Sequence, residues 1–491
     1  MLSSIGNLPE TALNPYWNIE DKLYRPTTLV SYALNIIILG GSAFSFHLIN
    51  LLLYFGICSL IYLLLRDLCW SSQEHQHRDE WFPYLAALLF LVLPIHSEVV
   101  ANITGRSELL ALLFSLLVLL EFTKDPPSHE ASDGRGRVNF WLAGLWVFLA
   151  LGSKETAVAT LPLILFVIWF KEKKISWQLV LKYFRPISAV VLATLGYLTI
   201  RFLVLGTEYF SGSNASLIEN PLIDATASDR IATAFSILFM YVRKALVPLS
   251  LCSDYSYSQI PTLSGFMHPS ALAGLLIYIS AIFTSIFYFK KKPVISFASA
   301  FFVIGFFLVS NIPFAIGTIA GERLFFYASV GFVILLALLL SKLNKKIVIV
   351  LLVIYSTFSF YRGYLWMTEE RLFLNAAECS PNSVLSLSNA GAAEYLYGDL
   401  DRAREYLERS REIKPVYSKG INNLGLVYWK QGNDKDALRL YHEALRQEHP
   451  YGGAVENLIL LYRSQGDTEG ALRWLRIMYP NVGDSALRNL F

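Results

Sequence analysis

A series of apolar runs, each close to the length of a membrane-spanning helix, constrains this chain more than any other feature. Crossing a bilayer takes roughly 20 apolar residues at about 1.5 Å of helix rise each. The runs lie near residues 44–65, 82–95, 107–122, 138–152, 155–170, 186–205, 230–250, 270–289, 294–312, 323–341 and 346–366. The pattern predicts an all-α protein whose main part is a polytopic transmembrane helical bundle.

Composition agrees with this interpretation. Only 16% of the 491 residues are charged, 54% are hydrophobic and the mean hydropathy is +0.45, whereas soluble domains carry about 25% charged residues. The net charge of +3 produces no field that would favour a nucleic-acid partner. We therefore expect an integral, multi-pass membrane protein with no nucleic-acid ligand.

The four cysteines follow no metal-binding or disulfide pattern. Cys58, Cys69, Cys252 and Cys379 lie in or beside apolar segments without a C-x-x-C spacing, so we predict packing residues rather than a disulfide or zinc framework. No metal site is expected elsewhere in the chain.

Sidedness follows from the basic connectors, because Lys and Arg in short loops favour the cytoplasm. The connectors at 171–174, 290–292 and 341–346 carry the clearest positive charge. Counting crossings between them places 96–106, 153–155, 206–229, 313–322 and everything after 366 on the outer side. This count requires 230–250 to be re-entrant or interfacial, with a break at Pro248.

The same count places residues 1–43 outside as an outer loop, in which 27–38 form an amphipathic surface helix. The first residues lack the basic and apolar regions of a signal peptide. We therefore expect that a first transmembrane helix precedes this sequence, and that the membrane domain proper covers 44–366.

A repeat begins near residue 380. Gly398, Gly432 and Gly466 are 34 residues apart, and alanines and large apolar residues recur at the same interval. This period predicts three tetratricopeptide repeats over 380–491, each a pair of helices in a C-terminal α-solenoid. The repeats could form a structural cap or dimerisation surface, or a concave groove that holds a polypeptide.

Charged residues collect on the side assigned to the outside. Ionisable side chains beside a bilayer are costly unless they are paired or wet, so such a group is a candidate site. Its members are Arg25, His96, Glu98, Arg106, Glu108, Lys154, Glu155, Asp254, Glu322 and Arg323, with Glu20 and Asp21 in the first outer segment. A carboxylate can act as general base toward a hydroxyl, and the cationic groups can bind a phosphate leaving group.

Seven segments in order resemble the TMTC family of transmembrane and tetratricopeptide-repeat proteins and its bacterial relatives. They are LYRPTTLVSYALN, FHLINLLLY, PIHSEVVANITGRSELLALLF, GSKETAVATLPLIL, NPLIDATASDRIATA, CSDYSYSQIP and SNIPFAIGTIAGERLFFYASVGF. The resemblance implies a GT-C-type glycosyltransferase that moves mannose from a dolichyl or polyprenyl phosphate to a protein Ser or Thr with inversion. It implies no metal and no cofactor beyond this lipid-linked donor.

The resemblance also directs attention to the first outer loop, whose acidic residues are thought to act in catalysis. Glu20 and Asp21 are the carboxylates this chain offers there, although the family's acidic pair sits just after the first transmembrane helix and is not equivalent to them. The short repeat array is similar to bacterial relatives, which implies an inner-membrane protein with periplasmic repeats. In a eukaryote the repeats would lie in the ER lumen.

A rival hypothesis is a non-catalytic membrane anchor whose repeats bind partner proteins. Under it, replacing the outer charges would be tolerated and changes in the repeat groove would not.

Overall fold

The computed structural model describes residues 5–16, 23–71, 81–124, 138–172, 177–206, 216–447 and 451–478, and within these ranges its regular secondary structure is entirely helical. The α-helices are α1 (Leu8–Leu13), α2 (Pro26–Leu39), α3 (Ala43–Ser71), α4 (Trp81–Val92), α5 (Ser97–Ala101), α6 (Arg106–Thr123), α7 (Phe140–Leu151), α8 (Thr160–Glu172), α9 (Trp177–Leu205), α10 (Ala227–Leu246), α11 (Pro269–Phe287), α12 (Pro293–Phe307), α13 (Phe326–Leu340), α14 (Lys345–Leu365), α15 (Glu369–Cys379), α16 (Val384–Tyr397), α17 (Leu400–Ile413), α18 (Ser418–Lys430), α19 (Asp434–Leu445), α20 (Gly453–Ser464) and α21 (Thr468–Met478). The predicted all-α class is confirmed.

Six segments of the described chain are long and apolar enough to cross a membrane. They are Ala43–Cys69, Ile103–Thr123, Leu181–Leu205, Pro269–Phe287, Glu322–Leu340 and Lys345–Leu365. A seventh is added if α4 and Pro94–Ala101, which meet at a bend of 51°, form one broken span. Among the other apolar runs, those at 138–152 and 294–312 form the shorter helices α7 and α12.

The apolar run at 230–250 forms helix α10, which is not one of the candidate spans. It is a continuous helix that ends at Leu246, ahead of a 3-10 turn beginning at Pro248. Four charged residues within it keep it out of the set of candidate spans.

Small residues let the central helices of the bundle approach closely. Gly331 on α13 faces the backbone of Ala298 and Phe302 on α12, and a Cβ at this position would collide with both. Gly274 on α11 faces the backbone of Phe235 on α10 in the same way. Such contacts replace the hydrophobic driving force that is missing between helices in lipid.

The C-terminal part consists of three helix pairs, formed by α16 with α17, α18 with α19, and α20 with α21. Gly398, Gly432 and Gly466 have φ of 101°, 79° and 74°. A residue with a side chain is strained in this left-handed region, which accounts for the recurring glycine after the first helix of each pair.

A clasp, defined as Cys252, Asp254, Cys379, Ser383 and Ser386, joins the membrane domain to the first repeat. Cys252 and Cys379 form a disulfide across 127 residues. The Asp254 carboxylate accepts hydrogen bonds from the hydroxyls of Ser383 and Ser386 at the start of α16. The prediction that these two cysteines only pack was wrong, because the fold brings segments that are distant in sequence into contact.

Candidate active site

The segment from Pro94 to Arg106 forms a compact turn between α4 and α6. A 3-10 turn, the short helix α5 and a second 3-10 turn succeed one another before α6 begins. Gly105 lies against the carbonyl of Val99, where a Cβ would collide with it. Glycine at this position therefore allows the turn to fold back and to present Glu98 and Glu108 on the same side as the other outer segments.

Three groups of ion pairs lie at this end of the bundle. Arg323 pairs with Glu98, and Lys154 pairs with Glu108. Arg25 Nη2 lies 2.8 Å from Glu155 Oε2, and Arg201 Nη1 lies 3.5 Å from Glu155 Oε1. We call these seven residues the ion-pair belt.

The three groups are close enough to act on one another electrostatically. Burial lowers the pKa of Lys154 and Glu108 opposes this, while the positive charges of Arg25 and Arg323 lower it further. The belt contains four cations and three carboxylates, which leaves one positive charge in excess. An anionic ligand would therefore be favoured over a cation.

Exposure within the belt differs between the partners. The side chains of Glu98 and Glu108 are 1% and 3% exposed, whereas Arg323 is 38% exposed. The two carboxylates thus hold their cations from below, and the Arg323 guanidinium is accessible from outside. This is the arrangement expected of a surface that binds phosphate through charge-assisted hydrogen bonds.

Glu155 is the most accessible carboxylate of the belt, at 34% exposed. Burial of the carboxyl raises its pKa, but Arg25 and Arg201 outweigh this effect and lower the pKa to about 2. Glu155 is therefore a stable anion that holds two arginines together, and it is a weak proton acceptor.

His96 lies inside the bundle rather than in the belt. Its Nδ1 is 2.8 Å from the Tyr54 hydroxyl, and its Nε2 is 2.8 Å from the Ser329 hydroxyl. The imidazole is buried among aromatic rings. These contacts are those of a residue that packs in the core of the helical bundle.

Arg106 is fully buried, and its hydrogen-bond partners among the described residues are amide and carbonyl groups rather than carboxylates. It donates hydrogen bonds of 2.9 Å to the side chains of Asn50 and Asn35 and to the Phe46 carbonyl, and its guanidinium lies over the Tyr32 ring. The hypothesis that Arg106 binds phosphate does not fit this enclosure. The residue instead ties α2 and α3 to the start of α6.

Glu322 belongs to a second buried network. Its carboxylate accepts hydrogen bonds from the Cys252 amide at 2.5 Å and the Tyr255 hydroxyl at 2.6 Å, and it lies 3.5 Å from Arg362. Its sequence neighbour Arg323 belongs to the belt. The 3-10 turn at Glu322–Phe325 therefore connects the belt to the loop that carries the clasp.

Asp254, a predicted substrate-binding residue, lies in the clasp and not in the ion-pair belt. Its carboxylate is occupied by hydroxyls of the clasp, and a negative charge there is favourable at the N-terminus of α16. Asp254 therefore helps to join the membrane domain to the first repeat. Glu20 and Asp21 lie outside the described residues.

Two arginines that sequence reasoning missed are Arg201 and Arg362. Both sit near the outer ends of long helices, inside apolar runs rather than in loops. A charged residue within a membrane helix is itself a functional signal, and that signal would have identified both.

An apolar crevice of about 430 Å³ lies between the C-terminal ends of α4 and α14. Leu91, Val92, Phe360, Tyr364 and Met367 contribute to its walls. Arg362 on the same helix donates to the Ser97 hydroxyl at 3.3 Å, next to Glu98 of the belt.

Sequence comparisons match both parts of the chain to known proteins. Residues 421–446 match the tetratricopeptide repeat family. The protein O-mannosyl-transferase F38B6.6 of Caenorhabditis elegans is 27% identical over 88% of this chain and 54% of its own length. Human protein O-mannosyl-transferase TMTC4 is 28% identical over 74% of this chain and 54% of its own length.

Human protein O-mannosyl-transferase TMTC3 is 24% identical over 87% of this chain and 49% of its own length. The chain thus spans about half the length of the curated relatives it matches. The alignments cover most of this chain, so the similarity is not limited to the repeats.

Proposed function

We propose that this chain, a homologue of the TMTC proteins, is a membrane glycosyltransferase that moves a mannose-like sugar from a polyprenyl or dolichyl phosphate to a hydroxyl of a protein acceptor. The names of its relatives supply the reaction class. The observation that carries the proposal is the ion-pair belt, which gathers four cations at one end of the bundle.

The belt would act on the leaving group. During transfer the bond between the sugar C1 and the phosphate oxygen breaks, its electron pair stays on the phosphate, and the acceptor oxygen bonds to C1. Negative charge that develops on the phosphate is stabilised by preorganised cations. Arg323, the most exposed cation among the pairs that Glu98 and Glu108 hold, would contact the phosphate first.

The proton of the acceptor hydroxyl needs a separate base. Glu98 and Glu108 are each buried against a cation, and Arg25 and Arg201 lower the pKa of Glu155, which makes this carboxylate a weak proton acceptor. Glu20 and Asp21 are the candidate bases that the sequence offers in the first outer segment. Substituting each with its amide tests this assignment.

The belt and the repeats would face a non-cytoplasmic compartment. Disulfides persist in the periplasm and the ER lumen and are rare in the cytosol, and Cys252–Cys379 lies at the joint between the two parts. This agrees with the sidedness expected from the basic connectors. Repeats in the periplasm apply to a bacterial host, and lumenal repeats to a eukaryotic one.

The experiment is a transfer assay with the full chain in liposomes. Radiolabelled polyprenyl phosphate mannose is the donor, and an unstructured Ser- and Thr-rich peptide is the acceptor. We expect label on the peptide and its loss in Lys154→Ala. Failure of the wild-type protein both to bind the donor and to transfer label, across a panel of polyprenyl phosphate sugars, would overturn the proposal.

A further inference from the structure

Arg362 is a buried cation near the C-terminal end of α14. Its side chain is 4% exposed, and α14 is one of the candidate spans. A charged side chain in such a helix is costly unless it is paired, and it is a signal of function. The contacts of Arg362 show how its charge and its five N–H donors are used.

The guanidinium of Arg362 bonds to four different segments. Its Nε donates to the Ser97 hydroxyl on α5 at 3.3 Å, and its Nη2 lies 3.5 Å from Glu322 Oε2. Its Nη1 donates to the Leu251 carbonyl at 3.0 Å and to Asn375 Oδ1 on α15 at 3.3 Å. Because the guanidinium is a planar fork, one side chain holds these segments at defined distances from one another.

Two of these segments meet again one residue further along. The backbone N–H of Arg323, which follows Glu322, donates to Glu98 Oε2 at 2.9 Å. The Arg323 guanidinium bonds to the other oxygen of the same carboxylate, and Glu98 follows Ser97 in the sequence. Arg362 therefore bridges the first residue of each adjacent pair, and Glu98 and Arg323 connect the second.

Glu322 is held at both of its carboxylate oxygens. Its Oε1 accepts hydrogen bonds from the Cys252 amide at 2.5 Å and the Tyr255 hydroxyl at 2.6 Å, and its Oε2 faces Arg362. Glu322 is fully buried, and a buried carboxylate is stable only with a cation and hydrogen bonds around it. Arg362 supplies the cation, so the turn that carries Arg323 is fixed at its first residue.

We propose that Arg362 is a positioning residue, which sets the distance between α5 and the 3-10 turn at Glu322–Phe325 and thereby fixes the Glu98–Arg323 pair for the donor phosphate. The part that this pair plays in transfer rests on the proposed function. Arg362 acts through its neighbours because its guanidinium is enclosed, whereas Arg323 is 38% exposed. Preorganised charges need no rearrangement during the reaction, and a displacement of about 1 Å can cost on the order of 100-fold in rate.

The first test measures the Glu98–Arg323 pair without any sugar. Thermal unfolding midpoints of the full chain in detergent micelles are compared for Glu98→Gln, Arg323→Gln and the double variant. The pair should show a coupling on the order of 2 to 4 °C. In an Arg362→Lys background this coupling should be lost, since an ammonium can pair with Glu322 but cannot form the fork that also reaches Ser97.

A second background makes a smaller change at the same bridge. Ser97→Ala removes the link from Arg362 to α5 and leaves the contacts to Glu322, Leu251 and Asn375 in place. The coupling between Glu98 and Arg323 should be reduced in this background while the midpoint changes little. This variant decides the question if Arg362→Lys does not fold.

The second test measures transfer from radiolabelled polyprenyl phosphate mannose. Arg362→Lys should lower kcat per folded molecule on the order of 10- to 100-fold. In an Arg323→Gln background the same substitution should lower transfer by less than about twofold more, because residues that act as a unit are not additive. A purely structural arginine would reduce transfer by the same factor in both backgrounds.

Arg243→Lys is the matched control, at an exposed arginine near the end of α10. It should leave the midpoint, the coupling and transfer as in the wild type. An unchanged coupling in both Arg362→Lys and Ser97→Ala would overturn the inference, and so would transfer losses that multiply in Arg323→Gln/Arg362→Lys. Loss of the coupling in a protein that transfers sugar from no donor would support the positioning of the pair and overturn the proposed function alone.

Discussion

Arg25 and Glu155, 130 residues apart in the chain, form an ion pair in which the arginine Nη2 lies 2.8 Å from the glutamate Oε2. Arg201, from a third part of the chain, approaches the other oxygen of the same carboxylate. One glutamate therefore holds the segment before α2 and the outer end of α9 together. Its protonation should be visible in the stability of the fold.

The pH dependence of Glu155 has a defined sign. Its folded-state pKa of about 2 lies below the ordinary value of 4.5, so its contribution to stability is present above pH 4.5 and is lost as the pH falls toward 2. The difference in thermal unfolding midpoint between the wild type and Glu155→Gln should be constant from pH 7 to 5 and shrink below 4.5. A constant difference down to pH 3 would contradict this, and Glu405→Gln serves as the control.

Variants of the Lys154–Glu108 pair should show separate effects on the stability of the fold and on sugar transfer. Lys154→Ala leaves Glu108 unpaired at 3% exposure, and breaking such a pair costs about 3 to 5 kcal/mol. Lys154→Ala/Glu108→Gln should recover most of the unfolding midpoint while transfer stays lower by on the order of 100-fold. Recovery of transfer in the double variant would show that Lys154 is only structural. Lys342→Ala, at an exposed lysine after α13, is the control.

Replacing Arg106 should lower the stability of the fold and leave donor binding by the folded protein unchanged. Arg106→Ala removes bonds to Asn35, Asn50 and the Phe46 carbonyl, and buried polar groups left unpaired cost about 1 to 3 kcal/mol each. We expect less folded protein and a lower unfolding midpoint, with normal donor KM in the fraction that folds. A normal midpoint together with abolished transfer would reverse this interpretation.

Arg201→Ala should have the opposite effect to Arg106→Ala, because it should reduce transfer while changing the unfolding midpoint little. Glu155 retains Arg25 when Arg201 is removed, so we expect a change in midpoint well below that of Arg106→Ala. Transfer should fall because one cation of the belt is lost, and Arg201→Lys should restore part of it. Wild-type transfer by Arg201→Ala would remove this residue from the belt's function.

The disulfide should stabilise the joint between the bundle and the repeats. Closing a loop of 127 residues corresponds to about 4 to 5 kcal/mol in the chain-entropy account. Cys252→Ser/Cys379→Ser should lower the unfolding midpoint, and Cys58→Ser/Cys69→Ser, at the two remaining cysteines, should change it much less. A membrane-impermeant maleimide added outside intact cells should label Cys252 and Cys379 only after reduction. Labelling without reduction would contradict the disulfide.

Much of the architecture follows from local properties. Apolar runs predicted the approximate positions of the long helices because a bilayer demands their length, although only six of the eleven runs, or seven with the bent pair, form candidate spans within the described residues. The 34-residue period predicted the repeats, because each period supplies one pair of helices. The four charged residues of helix α10 already distinguish it, in the sequence, from the candidate membrane spans.

The sequence by itself predicted the class of protein and the approximate positions of the long helices, since hydropathy acts segment by segment. It also predicts, from the placement of Lys and Arg, the side on which the charged loops gather. Only the tertiary structure decided which charges meet. Glu98 and Arg323 are 225 residues apart, and adjacent residues such as Glu322 and Arg323 turn to different networks. Spacing could not pair Cys252 with Cys379 or enclose Arg106, because partners in a helical bundle are chosen by packing between helices that are distant in the chain.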